Sequence, residues 1–129
     1  MNLKAMKTET IEAMLDALPV DVSFVDETDT VTYFNTPKLE PRIFPRTKMD
    51  IGRKVQNCHP PQSVDKVNKI LDGFKKGEMK QAPFWIDFRG KKIYINYFPV
   101  TGENGEYLGC LEVTQDITEI QKITGEKRL

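Results

Sequence analysis

His59 is the only histidine of this 129-residue chain, and Cys58 and Cys110 are its only thiols. One imidazole excludes a two-histidine metal site. Nor does any Ser/His or Cys/His pair come with the third, orienting group that nucleophilic catalysis needs. The two cysteines stand far apart in no metal or redox spacing, so they read as reduced thiols of a cytoplasmic protein. Arg42, Arg46, Lys48, Arg53 and Lys54 gather just where Pro37, Pro41 and Pro45 recur. A guanidinium meets a carboxylate or phosphate bidentately, and a proline-stiffened loop can hold that fork in place. The cluster therefore reads either as a site for a small anionic ligand or as a solvated basic surface with salt bridges. Asp87 or Tyr97 could act as acid or base, yet no motif accompanies either, and an enzyme is not expected.

The stretch from Tyr107 to Glu119 suits transmission better than chemistry. Leu111 and Val113 alternate with Cys110, Glu112 and Thr114 at the period of a strand. Asp116 then stands where an N-cap accepts from free N–H groups, with Glu119 at the acid position of a capping box. The spacing predicts a strand that runs into a helix without a loop, with Ile117, Ile120 and Ile123 along one side. Asp116, Ile117 and Thr118 would pass a change of state across that junction.

Length and composition bound the elements that must position these residues. A chain of this size forms one domain and buries about two-thirds of its unfolded surface. No apolar run approaches ~18 residues, so no membrane span is expected. The N-terminus, Met1 to Ala5, has no apolar stretch of a signal peptide. Net charge is zero, but residues 36–92 carry fourteen Lys/Arg against six Asp/Glu, while residues 93–121 carry five acids and no base. That asymmetry could orient an anionic ligand or partner, or could be solvated faces of separate elements. The lysines are scattered and acidic flanks would oppose a phosphate backbone, so nucleic acid is not an expected partner.

Ile11, Met14, Leu15 and Leu18 predict an amphipathic helix over about 8–18, stopped by Pro19. Val22–Asp26 and Thr30–Asn35 predict a strand hairpin around Glu27-Thr28-Asp29. Prolines exclude a long helix from residues 36–62, where one-turn helices and extended pieces are expected. Ser63 to about Lys76 predicts a second helix, with Val64, Val67, Ile70, Leu71 and Phe74 as its apolar stripe and Gly77 closing it. Two longer strands follow. Phe84, Ile86 and Phe88 share one face, as do Ile93, Ile95 and Tyr97, and Gly102 to Gly105 turns the chain into the last strand.

This order resembles that of a PAS domain: helix, two strands, an irregular helical middle, one long helix, three strands. Local sequences match as well. Val25-Asp26-Glu27 through Tyr33-Phe34-Asn35 is similar to the family's opening hairpin, Ile51-Gly52-Arg53 with His59-Pro60-Pro61 to the approach to its long helix, and Gln115-Asp116-Ile117-Thr118-Glu119 to its exit. The resemblance covers roughly residues 10–122 and rests on the order and spacing of motifs that are individually weak. Arg42-Ile43-Phe44-Pro45-Arg46-Thr47 with Val55 to Pro61 resembles a subgroup of bacterial and archaeal proteins that also carry a hemerythrin-like domain.

The resemblance implies an α+β fold: a five-stranded antiparallel sheet with helices on one face, a core over about 20–117, an N-terminal helix over about 8–18 and a C-terminal linker helix over about 117–127. It implies a non-enzymatic sensory module that forms a homodimer, belongs with other domains of a longer protein, and binds a small anionic or apolar ligand. The inner strand faces would line the pocket with Phe84, Ile86, Ile95, Tyr97, Leu111 and Val113. Tyr97, Ser23 or Asn35 would be its polar handles, and Arg46, Arg53 and His59 would also meet the ligand. The alternative is a haem-based gas or redox sensor with His59 as axial ligand. In the family that histidine lies within the long helix, whereas His59 precedes it, and a His-Pro here also finishes the turn in members without haem. A photoactive flavin is not expected, because Cys58 is six residues after Gly52 and no Arg-Phe-Leu-Gln follows it. Trp85, Tyr94 and Phe98 could supply an outer aromatic patch for the dimer.

Overall fold

A computed structural model describes residues 3–129, so Met1 and Asn2 of the N-terminal stretch lie outside the described residues. The alternating segments form strands β1 (Asp21–Asp26), β2 (Val31–Phe34), β3 (Ala82–Phe88), β4 (Lys91–Thr101) and β5 (Tyr107–Asp116). They make one antiparallel sheet in the order β2-β1-β5-β4-β3, so the last strand sits between the first and the fourth. The helices are α1 (Thr8–Ala17) and α2 (Pro61–Lys75). The expected α+β class and the five-stranded sheet are both present.

Helix α2 begins at Pro61, with Pro60 rather than Ser63 at its N-cap. Pro61 occupies its first turn, where the missing N–H costs nothing. Gly77 ends the helix at φ +71°, its N–H donating to Phe74 O over 3.1 Å. Leu71 and Phe74 bury against one sheet face, joining Val25, Val55, Ile93, Ile95, Tyr97 and Cys110 in the core.

Register decides which side chains share that face. Tyr97 lies opposite Glu112 and Ile95 opposite Thr114, while Ser23 pairs with Glu112 and Val25 with Cys110. Cys110, Glu112 and Thr114 therefore turn towards α2. Leu111 and Val113 lie on the other face, beside Phe24 and Phe98, which corrects their expected place in the pocket. A period of two defines two sets without saying which faces inward, and one step of register exchanges them. Here Gly109 fixes the step: at φ +153° a Cβ would meet Val25 O at 2.2 Å, so only glycine lets β5 approach β1 at that point.

The proline-rich stretch is irregular as expected, with 3-10 turns at Lys48–Asp50 and Val55–Cys58. Val31 N–H donates to Arg53 O, Gly52 N–H to Val31 O and Val55 N–H to Asp29 O, which ties the stretch to the first hairpin.

The expected C-terminal helix does not form; residues Ile120–Lys122 make a single 3-10 turn and Ile123 is exposed. Ile117 N–H, which a helix would leave free, donates to Lys92 O over 2.9 Å and so prolongs the sheet. A few turns without a surface to bury against are marginal in water.

Candidate functional site

Two polar constructions flank the core. The first is structural. Asn35 is 1% exposed; its Oδ1 accepts from Val22 N over 2.7 Å and its Nδ2 donates to Leu15 O and Val20 O over 3.0 Å. Arg42 adds Nε to Phe44 O, Nη1 to Asn35 O and Oδ1, and Nη2 to Ser23 Oγ. Asp21 accepts from the N–H groups of Ile43 and Phe44. Asn35 therefore holds the entry from α1 into β1 and is no pocket handle. Arg42 likewise uses its donors on the fold, and its guanidinium rests 5.5 Å from the centre of the Phe34 ring.

The second construction is a cavity of about 20 Å³ under α2. Val25, Val55, Val67, Ile70, Leu71 and Cys110 give it apolar walls, and His59, Tyr97 and Glu112 bring polar atoms to it. Glu112 is 8% exposed and accepts from Thr114 Oγ1 over 3.4 Å. His59 Nε2 and Arg46 Nε are both buried without a hydrogen-bond partner in the chain. Burial holds the His59 imidazolium below its ordinary pKa; Glu112 works against that and Arg46 with it. Burial, then Glu112, raises the Tyr97 hydroxyl far above the usual phenol range. Burial and Glu112 also push the Cys110 thiol up to about 12. The cluster is thus a set of mostly neutral groups around one carboxyl, suited to binding and polarity rather than nucleophilic attack.

Of the residues expected at a pocket, only His59 and Tyr97 line this cavity. Ile95 is core, Ile86 packs against it, and the Phe84 ring lies 5.7 Å from that of Tyr97. Arg53 points to Asp50 and to Asn57 O on the exposed side. Sequence reasoning missed Glu112 and Cys110. A charged residue between Leu111 and Val113, far from any turn, was the available signal. A haem does not fit the cavity. Sites for molecules of drug size or larger take ~300 Å³ or more, and the Glu112 side chain lines the same small space as His59. Among the described residues no cluster of three or more His, Cys, Asp or Glu could hold a metal.

The exit from β5 is built more firmly than the cavity. Asp116 Oδ1 accepts from both the N–H and the hydroxyl of Thr118, at 3.0 and 2.5 Å, which draws the Asp116 carboxyl below its usual pKa. Thr118 Oγ1 accepts in turn from Lys92 N, and Lys91 Nζ lies 3.6 Å from Asp116 Oδ2.

The family model for the PAS domain matches residues 11–118. The chain belongs to that family. A solved structure of the C-terminal domain of a Streptococcus mutans protein is 32% identical to this PAS domain, with a TM-score of 0.83 over 92% of this chain and 91% of that one. The PAS domain of Bordetella pertussis BvgS, at 18% identity, has a TM-score of 0.63 over 88% of each chain. A sensory box sensor histidine kinase from Vibrio cholerae, at 16% identity, has a TM-score of 0.60 over 85% of this chain and 90% of that one. At such identities the last two share the fold. No curated protein sequence matches this PAS domain. PAS domains are in general sensory modules rather than enzymes. Among the described residues no helix is long and apolar enough to cross a membrane.

Proposed function

We propose that this PAS domain is a non-enzymatic sensory module that works as a homodimer and passes changes in its core outward through Asp116, Ile117 and Thr118. The observation that carries the reading is the double tie at the exit. Thr118 Oγ1 and Ile117 N–H both bond Lys92, so the outgoing chain moves with the centre of the sheet. β5 also carries Cys110 and Glu112 into the cavity, which places both ends of the route on one strand. A ligand there would be of the size of water, or larger only if α2 shifts.

The surface supports the dimer. Helix α1 buries none of its residues, and Met14 and Leu18 are exposed along its apolar stripe. On the sheet face away from α2, Trp85 and Tyr94 stack with ring centres 6.3 Å apart and planes within 8°. Apolar side chains left open together in this way are what a second subunit covers. The likeness to a C-terminal domain supports a place within a longer protein, and the two free cysteines support a cytoplasmic one.

Native mass spectrometry of the purified chain tests the dimer, and amide exchange of the exit segment in Glu112→Gln tests the route. The expected result is a dimer that Trp85→Ser weakens. A monomer at every concentration, with an exit segment whose amide exchange ignores changes at Glu112, would defeat the proposal.

A further inference from the structure

A second depression, of about 440 Å³, lies at the end of the sheet where the proline-rich stretch crosses β1, the β3–β4 hairpin and the exit of β5. It shares no residue with the cavity under α2 and is within the ~300–1,000 Å³ usual for small-molecule sites. Its walls are stiff: Pro19, Pro37 and Pro41 have fixed φ, and Ile43 and Phe88, partly buried, pack against the core.

Its charges are unequally committed. Asp21 is taken by two backbone N–H groups and Arg42 by the Asn35 construction. Asp116 is engaged by Thr118. Arg89 is left with no carboxylate partner among the described residues, its guanidinium standing 5.0 Å from the centre of the Phe88 ring. Lys91 is 62% exposed and holds Asp116 only at 3.6 Å. A cation pair above an apolar floor suits one anionic group on an apolar body. Glu40, on the proline wall, disfavours a polyanion.

We propose that this groove binds a small molecule carrying a single carboxylate on an apolar body, its carboxylate meeting Arg89 and Lys91. Such a carboxylate competes with Asp116 for Lys91 and so alters the neighbours of the Asp116–Thr118 tie. The binding stands on the groove alone, whereas the hand-over to Asp116 rests on the sensory reading above.

The test is an amide NMR titration of the full chain with sodium octanoate and 3-phenylpropionate, each beside its neutral alcohol twin. The acids are expected to give saturable shifts over residues 39–43 and 88–93, with the alcohols at least about tenfold weaker. Arg89→Gln, a change on the exposed hairpin turn, should weaken the acids by a similar factor. Absence of saturable binding by either acid, shifts centred on Ile70, Leu71 and Cys110, or indifference to Arg89→Gln would each overturn the site. Saturable groove shifts with residues 116–118 unmoved would overturn the hand-over alone. None of these outcomes depends on whether the chain dimerises.

Discussion

The backbone N–H of Lys92 donates to Thr118 Oγ1 over 2.9 Å, and that same hydroxyl donates to Asp116 Oδ1 over 2.5 Å. One side chain thus joins the second residue of β4 to the last residue of β5 and to the chain that leaves the sheet. Thr118→Val keeps the shape and removes both bonds. It is expected to cost about 1–2 kcal/mol and to speed amide exchange at Lys92 and Thr118, while Thr118→Ser preserves both. Unchanged exchange at those two amides in the valine variant would show that the tie does not hold the exit.

Gly109→Ala should be far more damaging than its size suggests. The new methyl would meet Val25 O at 2.2 Å and the Phe24 ring at 2.5 Å, at φ +153°. Val25 O is backbone and cannot swing aside. A loss of about 2–3 kcal/mol is expected in urea denaturation, through the β1–β5 pair. A variant as stable as the parent would mean that β5 tolerates another register.

Stability should fall on mild acidification because of His59. Its folded pKa lies below the unfolded value, so the unfolded chain takes up the proton first and folding is penalised as pH drops through that value. Between about pH 7.5 and pH 5.5 the urea midpoint of the parent should decline, and His59→Gln should flatten the decline. Asp26 and Asp116 are displaced in the same direction, downward, but from the carboxylate range. Their contribution is complete above the usual carboxylate range and disappears only as pH falls below it. Equal slopes for parent and variant in the first window would count against a buried neutral His59.

The two thiols should separate kinetically. Cys58 is part-exposed and Cys110 is buried, with its thiol pushed up to about 12. A disulfide reagent should titrate one thiol per folded chain, lost in Cys58→Ser, and the second only on unfolding. Rapid labelling of Cys110 in the native protein would reveal opening of α2 over the cavity.

Haem offered to the purified chain should give no His59-dependent Soret band, because the space beside the imidazole is about 20 Å³. A band abolished by His59→Ala would show that the walls around Val67 and Ile70 move apart.

Some of this was legible in the chain itself. Prolines at 37, 41 and 45 excluded a helix, and Gly77 after two lysines ended one. Phe84/Ile86/Phe88 and Ile93/Ile95/Tyr97 declared their shared face because every alternate residue was apolar. In β5 both alternating sets held plausible core residues, and the choice went the wrong way. The exit misled for a related reason: Asp116 and Glu119 satisfy a capping pattern, but local capping energy is smaller than the bonds that Lys92 offers to Ile117 and Thr118.

By itself, then, the sequence determined the types and order of the elements as far as the end of β5, because backbone preferences and hydrophobic period act over a few residues. That order, with its local motifs, carried the resemblance to the family. Only the tertiary structure decided that Glu112 faces inward, that Arg42 and Asn35 are consumed by the fold, and that the chain leaves the sheet without a helix. Each of those outcomes depends on a partner far away in sequence: Gly109 against Val25, Arg42 against Ser23, Asn35 against Leu15, Thr118 against Lys92. No local pattern records where such partners will lie.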